Sequence, residues 1–198
     1  ELDSVRVPIV KSWRRNERMD GDLTGKSKKR VANDYGEDQL KKWRRGYTVR
    51  PPPTSSYSSS YPGNDQRRAK HIDDIGISWK ETINRSLEQR KLEIHRKFPK
   101  TESLKDCMDR SIPFYTKEIY LEAVKKGKRV LITSHENAIR GLLMHFCDIP
   151  ESAVNQLHLP NGLPLVYNVK GRCITLLDDE SSSGKVHDFG PAAKYLFK

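Results

Sequence analysis

Cysteine is scarce and long apolar runs are missing. Three cysteines, Cys107, Cys147 and Cys173, stand far apart in a chain of 198 residues, which excludes a disulfide framework and leaves no C-x-x-C pair for a metal. They read as ordinary thiols in a reducing compartment. No apolar stretch approaches the ~20 residues that span a bilayer. No charged-then-apolar leader follows Glu1, and the start of the chain is expected to be a truncation or a processing product. Hydrophobic residues make up only 35% of the chain against 32% charged, so part of it should be exposed segment and not core.

Positive charge, by contrast, is plentiful. The net charge is +11, from 37 basic and 26 acidic residues. Its distribution is uneven: residues 1–50 hold 14 basic and 8 acidic side chains, residues 67–100 hold 10 and 5, and residues 101–198 hold 13 and 12. A field concentrated in the first hundred residues calls for an anionic partner. Charge alone does not separate a small phosphorylated metabolite from nucleic acid.

The patterning predicts loops and one helix near Asp34–Trp43 within the first fifty residues. Residues 51–63, rich in Pro, Ser and Tyr, predict a mobile loop. Residues 78–98 carry an amphipathic helix signal opened by Ser78 and Glu81 as a capping box. From Thr101 onward the pattern is that of an α/β protein. Thr101 is expected to cap a helix with Leu104, Met108, Ile112, Tyr115 and Ile119 on one face, kinked at Pro113. Residues 129–134 predict a strand buried on both faces, followed at once by a helix over Asn137–Phe146. Pro150 opens a further short helix. Residues 164–169 and 172–177 predict a hairpin joined at Lys170-Gly171, and the polar tail 178–198 is expected to fray.

Three places could carry chemistry. His135 ends the predicted strand and starts a helix, the edge where open α/β sheets bind ligands. The backbone N–H groups near Asn137 would add an anion site there; a structural histidine is the competing explanation. Lys41-Lys42-Trp43-Arg44-Arg45 suits a bidentate phosphate clamp, a nucleic-acid patch or a solvated helix end. Glu17, between Arg14, Arg15 and Arg18, is by itself an ordinary salt-bridging carboxylate.

These residues lie in segments that resemble the 2,3-bisphosphoglycerate-dependent phosphoglycerate mutases of the histidine phosphatase superfamily. The segments are Lys11-Ser12-Trp13-Arg14-Arg15-Asn16-Glu17-Arg18, Trp43-Arg44-Arg45-Gly46-Tyr47, Tyr61-Pro62-Gly63 and Thr101-Glu102-Ser103-Leu104. They continue with Ser134-His135-Glu136-Asn137-Ala138-Ile139-Arg140 and with residues 159–167. The resemblance implies a three-layer α/β fold with a mostly parallel sheet, lacking its first strand–helix unit. Residues 1–177 would form that partial domain, with residues 71–98 as an insertion.

By the same resemblance Glu17 is the proton donor and acceptor, and His135 the second active-site histidine. Lys28, Arg44 and Arg45 bind phosphate and carboxylate. Arg18, Asp20, Glu136 and Asn137 complete the substrate pocket. The implied cofactor is 2,3-bisphosphoglycerate and no metal is called for. The implied partner is a small anionic phosphorylated metabolite in the cytoplasm. Membrane is excluded, nucleic acid is the weaker alternative, and homo-oligomerisation is left open.

Three departures accompany the match. None of the six histidines stands between Arg and Gly, so the family's nucleophilic Arg-His-Gly histidine is absent and this chain alone is expected to be inactive. Glu136 replaces the family's glycine beside the phosphate site. Met19 and Asp20 stand where the family has His and Tyr. An inactive mutase-like binding or regulatory protein is therefore the competing functional expectation.

Overall fold

The computed structural model describes residues 8–64, 98–176 and 189–197. The helix expected at 78–98 lies outside these, except for Phe98, which is buried.

The first elements form because short polar residues cap them. The Ser12 hydroxyl accepts Arg14 N–H and starts a 3-10 turn at Trp13–Arg15. Ser27 accepts Arg30 N–H at 3.2 Å and starts α1, Lys28–Tyr35. Gly36, at φ +85°, breaks the chain direction before α2, Glu37–Arg45. Glu37 and Asp38 occupy the first turn of α2, and Lys42, Arg44 and Arg45 the last, the order the helix dipole favours. A small core of Leu23, Val31, Leu40 and Trp43 joins the two helices.

Residues 51–63, expected to be mobile, are anchored. Pro51, Thr54 and Tyr61 are buried, and Tyr61 Oη donates to Phe98 O at 2.8 Å. Composition counted the serines, but three spaced anchors decide the packing.

The next helix, α3, spans Leu104–Phe114 and is capped by Ser103, not by Thr101. Ser103 and Asp106 exchange backbone N–H bonds, Ser103 N–H to Asp106 Oδ2 at 2.8 Å and Asp106 N–H to Ser103 Oγ at 3.2 Å. Thr101 instead donates its hydroxyl to Pro51 O at 2.7 Å. After Pro113 the helix widens into π-type turns over Tyr115–Tyr120, the expected response to a lost backbone donor.

Helix α4, Glu136–Cys147, lies against α3 and supplies more of the main core than any other element. Its contact with α3 passes at Gly141, where a Cβ would come within 2.7 Å of Met108 Cγ. A one-turn helix, α5, follows at Glu151–Val154 with Pro150 at its N-cap. The hairpin consists of β1, Leu165–Asn168, and β2, Cys173–Leu176, paired antiparallel with Tyr167 opposite Ile174. Tyr167 stacks on Phe146 at 4.4 Å, which closes the core over the hairpin.

Two expectations fail here. Residues 129–134 form no strand, and Leu131 is 85% exposed. An apolar run becomes a buried strand only beside a neighbour that takes its N–H and C=O groups. Among the described residues the sheet has only the two strands of the hairpin, so no parallel sheet is seen. The tail does not fray throughout, because Phe189, Ala192 and Leu196 are buried in the main core. Ile174 N–H donates to Leu196 O at 3.2 Å and His158 N–H to Phe189 O at 2.9 Å. Three apolar residues suffice to dock a segment whose average is polar.

Candidate active site

One cleft of about 720 Å³ is lined by residues 16–21, by Lys26 in the loop before α1 and Lys28 at its first position, and by Arg44 and Arg45 at the end of α2. Thr54, Ser60, Pro62 and Lys100 form a further wall, and His135, Glu136 and Asn137 close it at the start of α4. Every residue expected in the site is there: Glu17, Arg18, Asp20, Lys28, Arg44, Arg45, His135, Glu136 and Asn137. They come from four stretches, 17–20, Lys28, 44–45 and 135–137, the last ninety residues beyond the third, so their convergence is a property of the fold.

Three facts of geometry set its chemistry. First, Glu17 bridges two segments. Its Oε1 accepts Arg18 N–H at 2.7 Å, and its Oε2 accepts Asn137 N–H at 3.2 Å in the first turn of α4. The carboxylate thus sits on the positive end of a helix, where negative charge is favoured. His135 is the N-cap residue of α4, with extended backbone (φ −94°, ψ 166°) and no side-chain capping bond. Its imidazole is therefore not consumed by the helix.

Second, the cleft is cationic but partly self-neutralised. Arg18, Lys26, Lys28, Arg44, Arg45 and Lys100 face three carboxylates, Glu17, Asp20 and Glu136. Arg18 is buried, donating from Nη1 to Trp43 O and from Nη2 to Asp20 Oδ1, both at 2.6 Å. Arg45 Nη1 donates to Glu136 Oε1 at 2.8 Å. The carboxylate that replaces the expected glycine is thus paired with a cation and does not stand bare beside the phosphate position.

Third, the walls are held from behind by residues that sequence reasoning missed. Arg110 and Glu102 form a buried bidentate pair, Nε to Oε1 at 2.6 Å and Nη2 to Oε2 at 2.7 Å. Burial works against the Arg110 charge, yet the hydrogen bond to Glu102 holds the guanidinium above its ordinary pKa. Arg110 also donates to the carbonyls of Trp13, Arg14, Asn16 and Glu17 at 2.8–3.2 Å. Glu102 Oε2 accepts Met19 N–H at 3.0 Å, and Ser134 Oγ donates to Arg15 O. The stretch bearing Glu17 is thereby fixed at both ends.

Behind Asn137, Arg140 is fully buried, donating to Asn137 Oδ1 at 3.1 Å and to Val154 O. That bond leaves the Asn137 side chain its amide nitrogen to offer to the cleft. Burial, and then the charge of Arg45, pull Arg140 down to about 10, so it stays charged at neutral pH. Glu102 lies in the segment Thr101-Glu102-Ser103-Leu104, but nothing in its spacing pointed to a buried partner eight residues on. Lys26, Lys100, Thr54 and Ser60 left no signal beyond polarity.

A cationic cleft with a carboxylate and a histidine at a helix start is a site for phosphate esters. Residues 73–177 match the histidine phosphatase superfamily (branch 1). The match covers more than half of the chain, and the chain belongs to that superfamily, which comprises phosphatases and mutases and has an α/β fold. The match contains His135, Glu136 and Asn137 and begins inside the segment 71–98 expected to be an insertion; Glu17, Arg44 and Arg45 lie outside it. No helix among the described residues is long and apolar enough to cross a membrane.

Proposed function

We propose that this chain belongs to a phosphoglycerate mutase of the 2,3-bisphosphoglycerate-dependent kind, which interconverts 2- and 3-phosphoglycerate in cytoplasmic glycolysis and gluconeogenesis through a phosphohistidine that these 198 residues do not supply. The observation that carries the reading is the convergence of Glu17, Lys28, Arg44, Arg45, His135 and Asn137 on one cleft. Phosphoryl transfer needs neutralised charge, fixed geometry and one proton carrier. Lys28, Arg44 and Arg45 neutralise the substrate's phosphate and carboxylate. Asn137 offers its amide nitrogen, and His135 a ring N–H, to the transferring phosphoryl oxygens. Glu17 takes the proton from the substrate hydroxyl and returns it after transfer. The cleft's excess of cations over carboxylates fits a polyanion such as 2,3-bisphosphoglycerate, which when bound supplies the phosphoryl group. The histidine that carries this group is not among the six present, and this reading places it outside the 198 residues.

Calorimetry with 3-phosphoglycerate tests the site. One saturable binding event is expected, weakened by salt and reduced about tenfold or more in Arg44→Met, which removes a charge-assisted phosphate contact. No measurable heat from the folded chain overturns the reading. A second reading, a non-catalytic binding or regulatory protein, is favoured by Asp20 and Glu136 standing on Arg18 and Arg45. A protein extended by an upstream Arg-His-Gly segment separates the two. Bisphosphoglycerate-dependent mutase activity supports the first, and binding without turnover supports the second.

A further inference from the structure

Glu136 Oε1 sits on Arg45 Nη1 at 2.8 Å, and both residues line the cleft. The two residues are 91 positions apart and join the end of α2 to the start of α4 across the cleft. Their side chains are 28% and 36% exposed, so the pair can open to solvent and exchange. Lys28, Arg44 and Lys100 line the same cleft and make no ion pair among the described residues. An arriving anion therefore meets three cations without an ion pair and three, Arg18, Lys26 and Arg45, already answered by carboxylates, of which Arg45 alone is held by Glu136.

We propose that Glu136 is a built-in competitor for Arg45 that lowers anion affinity and selects phosphate esters over carboxylates. This inference rests on the phosphate-site reading above. The reasoning is one of charge and place. A phosphate ester near neutral pH carries about −1.5 to −2 and offers two oxygens to the guanidinium fork. It can displace a single carboxylate, whereas a carboxylate ligand only equals the group it must replace. Once displaced, Glu136 keeps a favourable position, since it occupies the first residue of α4, where the helix dipole stabilises negative charge. It remains a like charge near the bound ligand, which lowers affinity further.

The test is calorimetry of the full chain with inorganic phosphate and with 3-phosphoglycerate, on wild type, Glu136→Gln, Arg45→Met and the double variant. Glu136→Gln is expected to bind both ligands about three- to tenfold more tightly, the range for losing a part-exposed ion pair and a neighbouring like charge. The gain is expected to vanish when Arg45 is Met. Glu136→Asp, which keeps the charge, should stay within about twofold of wild type, so loss of fold cannot imitate the result. Unchanged or weaker binding by Glu136→Gln overturns the proposal alone, as does a gain that survives without Arg45. If no variant binds either ligand, this proposal and the phosphate-site reading fall together.

Discussion

A buried guanidinium has five N–H donors to satisfy, and Arg110 directs its donors at Glu102 and at four of the five carbonyls of the Trp13–Glu17 stretch. Its side chain is 9% exposed and that of Glu102 3%. Replacing one partner strands the other's charge away from water. Arg110→Met is therefore expected to cost about 3–5 kcal/mol, the usual loss on breaking a buried pair, read as a drop in the urea midpoint. Adding Glu102→Gln to that variant should cost far less than the sum of the singles, because the stranded carboxylate is gone. Arg110→Lys should recover little, since an ammonium cannot reach four carbonyls and a carboxylate in one plane.

Cys107, on the same helix, is fully buried and its thiol is pushed up to about 12 by burial. Iodoacetamide at pH 8 should leave Cys107 unmodified in the folded chain and alkylate it in urea, as peptide mapping would show. Alkylation at equal rates in both states would contradict the packing.

At the scale of elements, the positions that order the cleft wall are set by close backbone approach. Gly21 sits at φ +59°, and a Cβ there would lie 2.1 Å from Pro52 O, the carbonyl that accepts Asp22 N–H at 2.8 Å. Gly21→Ala meets both a left-handed backbone and a collision with main chain, so a loss of about 2 kcal/mol or more is expected, with weaker 3-phosphoglycerate binding as the wall shifts. Ser103→Ala removes half of the capping box and should cost about 1 kcal/mol; Thr101→Ala, at the residue the periodicity favoured as cap, tests a different contact, the bond to Pro51 O.

How far the sequence revealed these elements depends on where their information lies. Helices were legible because their apolar stripes are local: the Glu136–Cys147 helix and the Leu165–Leu176 hairpin appear within a few residues of their expected bounds, while the Leu104–Phe114 helix starts near its expected place but takes Ser103 as its cap and gives way to π-type turns after Phe114. Of the residues that line the cleft, only His135 stood out by its own place in the pattern; Glu17, Arg44 and Arg45 were singled out by the resemblance of their segments, since alone they read as a salt-bridging carboxylate and a helix end. What failed was non-local. Residues 129–134 have the composition of a buried strand but need a neighbour to become one. Pro51, Tyr61, Phe189 and Leu196 are buried by partners that composition does not announce. The ion pair between Glu136 and Arg45 could not be read either, since nothing in two segments 91 residues apart says that their side chains meet.

For the molecule as a whole, burial leaves its mark on the response to pH. The Cys107 thiol and the phenols of Tyr47, Tyr61, Tyr115 and Tyr167 are all held above their ordinary values, chiefly by burial. In the unfolded chain thiols lose their proton near pH 8.5 and phenols near about 10. Above those values the unfolded state binds fewer protons than the folded one, so stability falls as pH rises, by at most about 1.4 kcal/mol per pH unit for each group. Arg140 runs the other way, its guanidinium being held below its ordinary value by burial, one group against five. On the acid side, the hydrogen bond to Arg50 holds the Asp106 carboxyl well below the usual range, and Ser103 helps. Its contribution is complete above the unfolded value near about 4 and is lost as pH falls further. Urea midpoints across pH 3 to 11 should therefore show a plateau around neutrality, a shallow acid decline and a steeper alkaline one beginning near pH 9. Asp106→Asn should flatten the acid limb and leave the alkaline limb unchanged, while Cys107→Ala should flatten the start of the alkaline limb only. An alkaline limb that starts near pH 9 and keeps its slope in Cys107→Ala would mean that the buried thiol does not govern it, and that the phenols alone respond.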